Sequence, residues 1–151
     1  MPLTVRRAGA ADAPLLVEFN CRMAEETEDK ALDRALITAG VAAGLADEQK
    51  AVYFVAEMDG AVVGQMMITR EWSDWRNGCF WWIQTVYVRP DARRRGVFRA
   101  LYEHACAAAR RAPDVIGLRL YVEQENYAAQ QTYLRLGMTW TGYRVLEKYP
   151  L

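Results

Sequence analysis

Two β-rich runs meeting at Asp59-Gly60, with a chargeless third run close behind, constrain this chain more than any other feature. The segment "AVYFVAEMDGAVVGQMMITR" has a break at Asp59-Gly60, where tolerance of positive φ suits a tight hairpin. "EWSDWRNG" then reads as a longer connection with a turn signal at Asn77-Gly78. "CFWWIQTVYV" holds no charged residue, so it is expected at the centre of the sheet as the third consecutive antiparallel strand. Pro90 ends its pairing, because proline has no backbone donor.

The remaining elements arrange themselves around that meander. "LTVRRA" reads as a short strand. Asp12 is placed to cap the helix after it, with Pro14 in the first turn and an apolar stripe at Leu15, Leu16, Phe19, Met23 and Ala24. A second helix is predicted over about 32–45, interrupted or ended around Gly40 to Gly44. Helical period returns at about 94–110, with Val97, Leu101, Ala105 and Ala108 in phase. "VIGLRLYV" is a further strand. Asn126 caps a helix reaching Leu136, Gly137 stops it, and "MTWTGYRVLEKY" supplies one or two last strands. The order predicts an α+β mixed sheet in a single domain over 3–151.

A chain of 151 residues is one domain with one core. Nineteen basic residues balance nineteen acidic ones, which argues against binding a polyanion by overall charge. No run approaches the about 20 apolar residues of a membrane span. Cys21, Cys79 and Cys106 are widely spaced and His104 is the only histidine, a pattern for neither zinc nor a disulfide framework. Reduced thiols and a cytoplasmic location are expected, with no metal, no membrane and no nucleic acid.

Local charge is another matter. Arg89, Arg93, Arg94, Arg95 and Arg99 crowd around Gly96, between the end of a strand and the start of a helix. A helix N-terminus offers unpaired amides and the positive end of a dipole, and glycine lets a ligand approach the backbone. That is an arrangement for phosphate. The P-loop and dinucleotide glycine patterns are both absent.

The residues that follow a V-x-V strand are informative here. Val86-Tyr87-Val88 precedes Arg93-Arg94-Arg95-Gly96-Val97-Phe98, which resembles the signature of the GNAT superfamily of acyl-CoA-dependent N-acetyltransferases. Phe98 stands where that family usually has Gly or Ala. "EQENYAAQQTYLRLGM" resembles the family's later motif, and Asn126, Ala129 and Tyr133 share one helix face. The resemblance implies a central mixed, mostly antiparallel sheet of six or seven strands flanked by about four helices. It also implies acetyl-CoA as co-substrate in a cleft between the fourth and fifth strands, with no metal. The pyrophosphate would sit on amides of Arg94, Arg95, Gly96, Val97, Phe98 and Arg99. Arg93 would lie near the phosphates or cap the loop. Val86 and Val88 would bond the pantetheine arm, and Asn126 would contact it.

Transfer needs a neutral amine, donors for the carbonyl oxygen and a proton for the departing thiolate. Tyr133 fits the proton donor. Glu71 is the candidate base, with Glu25, Glu26, Asp74 and Glu123 as runners-up. Trp72 and Trp75 would shape the acceptor side, the acceptor being a small-molecule or peptide amine. An alternative is a non-catalytic acyl-CoA sensor of the same fold. A single-stranded nucleic-acid binder is disfavoured, because its groove needs a longer basic path. A homodimer is compatible with the sequence.

Overall fold

The computed structural model describes residues 2–151. The chain divides into two compact units, residues 1–120 and 121–151. The first carries a five-stranded sheet in chain order: β1 (Leu3–Arg7), β2 (Val52–Met58), β3 (Ala61–Ser73), β4 (Gly78–Val88) and β5 (Val115–Leu120). The first four are antiparallel neighbours, and β5 lies parallel to β4. The helices α1 (Ala13–Glu28), α2 (Arg34–Ala46) and α3 (Val97–Arg111) complete this unit.

The two sheet faces are covered separately. Val97, Leu101, Ala105 and Ala109 of α3 join Phe54, Ala56, Met66, Ile68, Trp81 and Ile83 in one buried cluster. Leu16, Val17 and Cys21 of α1 and Val41 of α2 join Tyr53 and Val55 in the other. Adjacent residues of β2 therefore serve opposite faces, the expected result of strand alternation. The hairpin at Asp59-Gly60 has φ of 55° and 78°, as its composition predicts.

Several expectations need correction. The sheet has five strands, not six or seven, and residues 139–151 form no strand. A β-pattern makes a strand only against a partner, and the pattern alone cannot supply one. "EWS" belongs to β3, paired residue by residue with β4 down to Ser73 opposite Gly78, so the supposed loop is a long ribbon with a short turn. β4 is an interior strand but β3 is the central one. α2 runs unbroken through Gly40 and Gly44. At Gly44 an added Cβ would lie 3.2 Å from the Tyr53 ring, so this glycine admits a neighbour rather than ending the helix. Asp12 precedes α1 without capping it through its side chain; its carboxylate instead accepts from Gly9 N and from both terminal nitrogens of Arg6.

The second unit contains α4 (Tyr127–Arg135). Asn126 Oδ1 accepts from Ala129 N at 3.2 Å, and Gln130 Nε2 donates to the carbonyls of Glu123 and Gln124. Gly137, at φ 97°, ends the element, with Met138 N donating to Tyr133 O.

Candidate functional site

The end of β4 is where the sheet opens. Parallel pairing with β5 covers Cys79 to Ile83 opposite Val115 to Leu120, yet β4 continues to Val88. Residues 84–88 therefore have no strand beside them on that edge among the described residues. The change coincides with a bulge. Thr85 takes φ 47°, a costly backbone for a β-branched residue, and the register with β3 slips between Gln65 and Met67. Cys79, Trp81 and Ile83 pack toward α3, and so do Val86 and Val88, so one extra residue inverts the alternation.

A buried amide holds the bulge. Gln65 is completely buried, and its Nε2 donates to Thr85 O at 3.0 Å. Gln65 Oε1 and Thr85 Oγ1 are buried with no hydrogen-bond partner in the structure. Such atoms are expensive to leave unsatisfied and concentrate where a fold serves chemistry.

Beyond β4 the chain passes through two left-handed residues into the start of a helix. Arg94 has φ 63° and Gly96 φ 81°, and α3 begins at Val97 with no side-chain cap. The first-turn amides of a helix lack intrahelical acceptors, and alternating left-handed turns aim them inward as an anion nest. A Cβ built on Gly96 meets nothing within 4 Å, so the backbone there is approachable. Val97 is buried against the sheet, and Phe98 packs its ring 6.1 Å from Tyr102. Phe98 thus contributes apolar packing where glycine or alanine would contribute none.

The arginines separate into two groups. Arg89 pairs with Asp91 at 2.6 Å and Arg99 with Glu103 at 2.8 Å. Arg93 donates from Nη2 to Glu26 at 2.6 Å and from Nε to Val88 O at 2.9 Å. Arg94 and Arg95 are exposed and have no side-chain partner among the described residues. These two bring charge outside any ion pair to the helix start, although Arg95 also helps lower the Asp91 carboxyl through space. Sequence reasoning missed Glu26 as the partner of Arg93, since nothing local links positions so far apart.

Glu26 also accepts from Tyr87 Oη at 3.0 Å. Arg93 holds the Glu26 carboxyl below its ordinary value, while burial and then Glu26 raise the Tyr87 phenol. The Phe19 ring lies 5.2 Å from Tyr87, so α1 is tied to the end of β4 by apolar and ionic contacts together.

At the far end of the β3–β4 ribbon, Glu71 Oε1 accepts from Arg119 at 2.7 Å and from Trp82 Nε1 at 3.3 Å. The Arg119 guanidinium stands 3.7 Å from the centre of the Phe80 ring, a cation–π contact. Trp72 and Trp75 are 61% and 88% exposed. Trp81 is core and Trp82 faces the other way, as alternation predicts.

Val86, Val88 and residues 93–99 thus come together within the first unit. Asn126 and Tyr133 belong to the second. Asn126 caps α4 with Oδ1, and burial raises the Tyr133 phenol above its ordinary value. His104 packs edge-on against Phe54 at 4.9 Å, as a structural residue. The three cysteines are free thiols. No cluster of His, Cys, Asp or Glu among the described residues is arranged for a metal ion, and no helix there is long and apolar enough to cross a membrane.

The class that this fold and turn define is matched directly: residues 15–138 fit the model of the acetyltransferase (GNAT) family. The chain belongs to that family, and so to the acyltransferases that draw on acyl-CoA. It is similar to the solved structure of a possible acetyltransferase from Clostridium difficile 630, at 41% identity and a TM-score of 0.92, covering 100% of this chain and 99% of the other. A predicted acetyltransferase with acetyl-CoA from Clostridium acetobutylicum shares the fold at 18% identity and a TM-score of 0.80, covering 97% and 96%. So does a ribosomal-protein-alanine N-acetyltransferase from Brucella melitensis biovar Abortus 2308, at 16% identity and 0.76, covering 97% and 100%. No curated protein matches the chain.

Proposed function

We propose that this chain moves the acetyl group of acetyl-CoA to a primary amine of a small molecule or peptide, by direct attack in a ternary complex, within one domain spanning 3–151. The observation that carries the reading is the amide nest at 94–96 opening onto α3, flanked by two unpaired arginines. The nest supplies donors for pyrophosphate oxygens, with Gly96 leaving room and the amides of Val97, Phe98 and Arg99 completing the set. Arg94 and Arg95 add charge. Arg93, already committed to Glu26 and Val88, orients the turn.

The open β4 edge suits the pantetheine arm, whose amides resemble a peptide strand. Val86 and Val88 offer backbone groups there. The family resemblance is what assigns Asn126 to that arm; with Oδ1 engaged in its cap, Nδ2 is the group it has left to donate.

In the reaction the amine lone pair forms the new C–N bond as the C–S bond of the thioester breaks. Tyr133 gives its proton to the departing thiolate. Its raised phenol keeps that proton at neutral pH, as an acid requires. Glu71, at the far end of the ribbon from residues 84–88, would receive the amine's proton through water. Its Oε1 already accepts from Arg119 and Trp82, which orients the carboxylate. The C. acetobutylicum protein's acetyl-CoA supports the choice of acyl donor.

An amine-panel screen that follows free thiol released from acetyl-CoA tests this. Turnover with at least one primary amine is expected. CoA binding without turnover on any amine of a broad panel would favour a non-catalytic sensor instead.

A further inference from the structure

Past the reach of the helices, one face of the β3–β4 ribbon carries side chains that belong to neither buried cluster. On that face α1 and α2 pack with Tyr53, Val55, Val62 and Met67. Further toward the hairpin turn, Thr69 stands opposite Trp82 and Glu71 opposite Phe80, and directly opposed residues share a face. Arg119 of β5 lies beside Trp82 in the ladder and reaches Glu71. Gln84 Nε2 donates to Thr69 Oγ1 at 2.6 Å. The face thus runs from Gln84, where pairing with β5 has just ended, to Phe80 near the turn.

Two cations meet on Phe80. Gly117 lets its ring lie against β5, since a Cβ added there would stand 3.0 Å from the ring. The Arg119 guanidinium lies 3.7 Å from the ring centre and that of Arg76 5.3 Å. The two differ in what balances them. Arg119 is matched by Glu71 at 2.7 Å. Arg76 is exposed and in no ion pair among the described residues. Its Nη1 donates to Ser73 Oγ at 3.2 Å, while the nearby Asp74 turns Oδ1 to Trp75 N. A ring and a hydroxyl therefore steady a guanidinium whose charge is left for something else.

We propose that Arg76 receives the carboxylate of the acceptor, a short peptide with a free α-amine and a free C-terminus, an assignment that rests on acyl transfer as proposed above. A guanidinium matches a carboxylate in shape and charge. A single unmatched cation suits one negative charge better than the roughly two of a phosphate. Length fixes the rest. The amine attacks where β4 opens, at Gln84, and Phe80 lies four residues before it, about 13 Å at about 3.3 Å per residue. An extended peptide of three or four residues spans that distance, at about 3.3–3.6 Å each. Phe80 and Trp82 supply an aromatic floor between its two ends.

Calorimetry in the presence of CoA, with alanine peptides of one to five residues as free acids and as C-terminal amides, tests this. Acids of three and four residues are expected to bind about fivefold more tightly than their amides, the scale of one exposed charge pair. That difference should shrink in about 1 M salt. Arg76→Ala should abolish it and Arg76→Lys should keep part of it. Equal affinity of acid and amide for the unmodified protein would overturn the proposal. So would binding by no acid, or a preference for acids that survives Arg76→Ala. Thiol release from acetyl-CoA on the same peptides separates this site from the reaction. Acids that bind preferentially without releasing thiol would uphold the carboxylate site and reject transfer. Release that is equal for acids and amides would uphold transfer and reject the site.

Discussion

Arg93 and Glu26 meet at 2.6 Å, and that contact clasps α1 to the turn that leads into α3. Glu26 accepts from Tyr87 as well, so a single carboxylate spans the helix, the strand and the turn. Glu26→Gln should loosen CoA binding a few-fold while shifting stability by no more than about 1 kcal/mol, since the pair is partly exposed. The Glu26 carboxyl lies below its ordinary 4.5 because of Arg93. Its contribution is therefore complete above that value and lost as pH falls through the lower folded value. Urea midpoints of wild type and variant should differ by a constant amount at neutral and mildly acidic pH and converge once the pH has fallen below the lowered folded value. A gap that persists in strong acid would refute the assignment.

Gly96→Asp should weaken CoA binding by about tenfold or more. It forces a left-handed backbone on a residue with a Cβ, at about 1 kcal/mol, and sets a negative charge on the nest. Arg94→Ala and Arg95→Ala should each lower affinity, with a shallower salt dependence. Calorimetry with CoA and with pantetheine lacking phosphates checks this. Equal affinity for the two ligands would place the phosphates elsewhere.

Replacing Gln65 with leucine removes the donor to the Thr85 carbonyl, which leaves a partly buried acceptor unpaired at a cost of about 1 kcal/mol. Denaturant midpoints measure that loss. Thr85→Gly relieves the positive φ and should restore part of the stability in the double variant. No interaction between the two changes would show that Gln65 does not hold the bulge.

Trp72→Ala and Trp75→Ala should leave stability within about 0.5 kcal/mol, as exposed positions do. We expect the acceptor KM to change with CoA affinity intact. Parallel losses for both ligands would assign the tryptophans to folding.

Tyr133→Phe keeps the ring and deletes the proton. Loss of a general acid costs about 10²- to 10⁴-fold in kcat, with Tm and CoA binding little altered. A stable variant with full kcat, measured where chemistry limits turnover, would end the catalytic role.

What the sequence revealed and what it concealed follow one physical division. The Asp59-Gly60 hairpin, the Asn126 cap, the Gly137 stop and the α3 stripe are set by residues near one another, and each was legible. The Glu26–Arg93 clasp and the Gln65–Thr85 brace join positions 67 and 20 apart, and no local pattern announces them. The five arginines could be counted in the sequence, but which two remain unpaired depends on carboxylates brought in by folding. "MTWTGYRVLEKY" has strand composition, but composition cannot name a partner.

The bulge at Thr85 gives β4 two frames, one on each side of a single residue. Cys79, Trp81 and Ile83 keep one frame, Val86 and Val88 the other. Straightening the strand without shortening it would turn every side chain after that residue inside out: the valines would leave the core and Tyr87 would swing away from α1, whereas removing the extra residue would leave both frames in place. Homologous chains that lack the bulge should therefore lack the residue as well, their strand one position shorter and its two valines still facing the core.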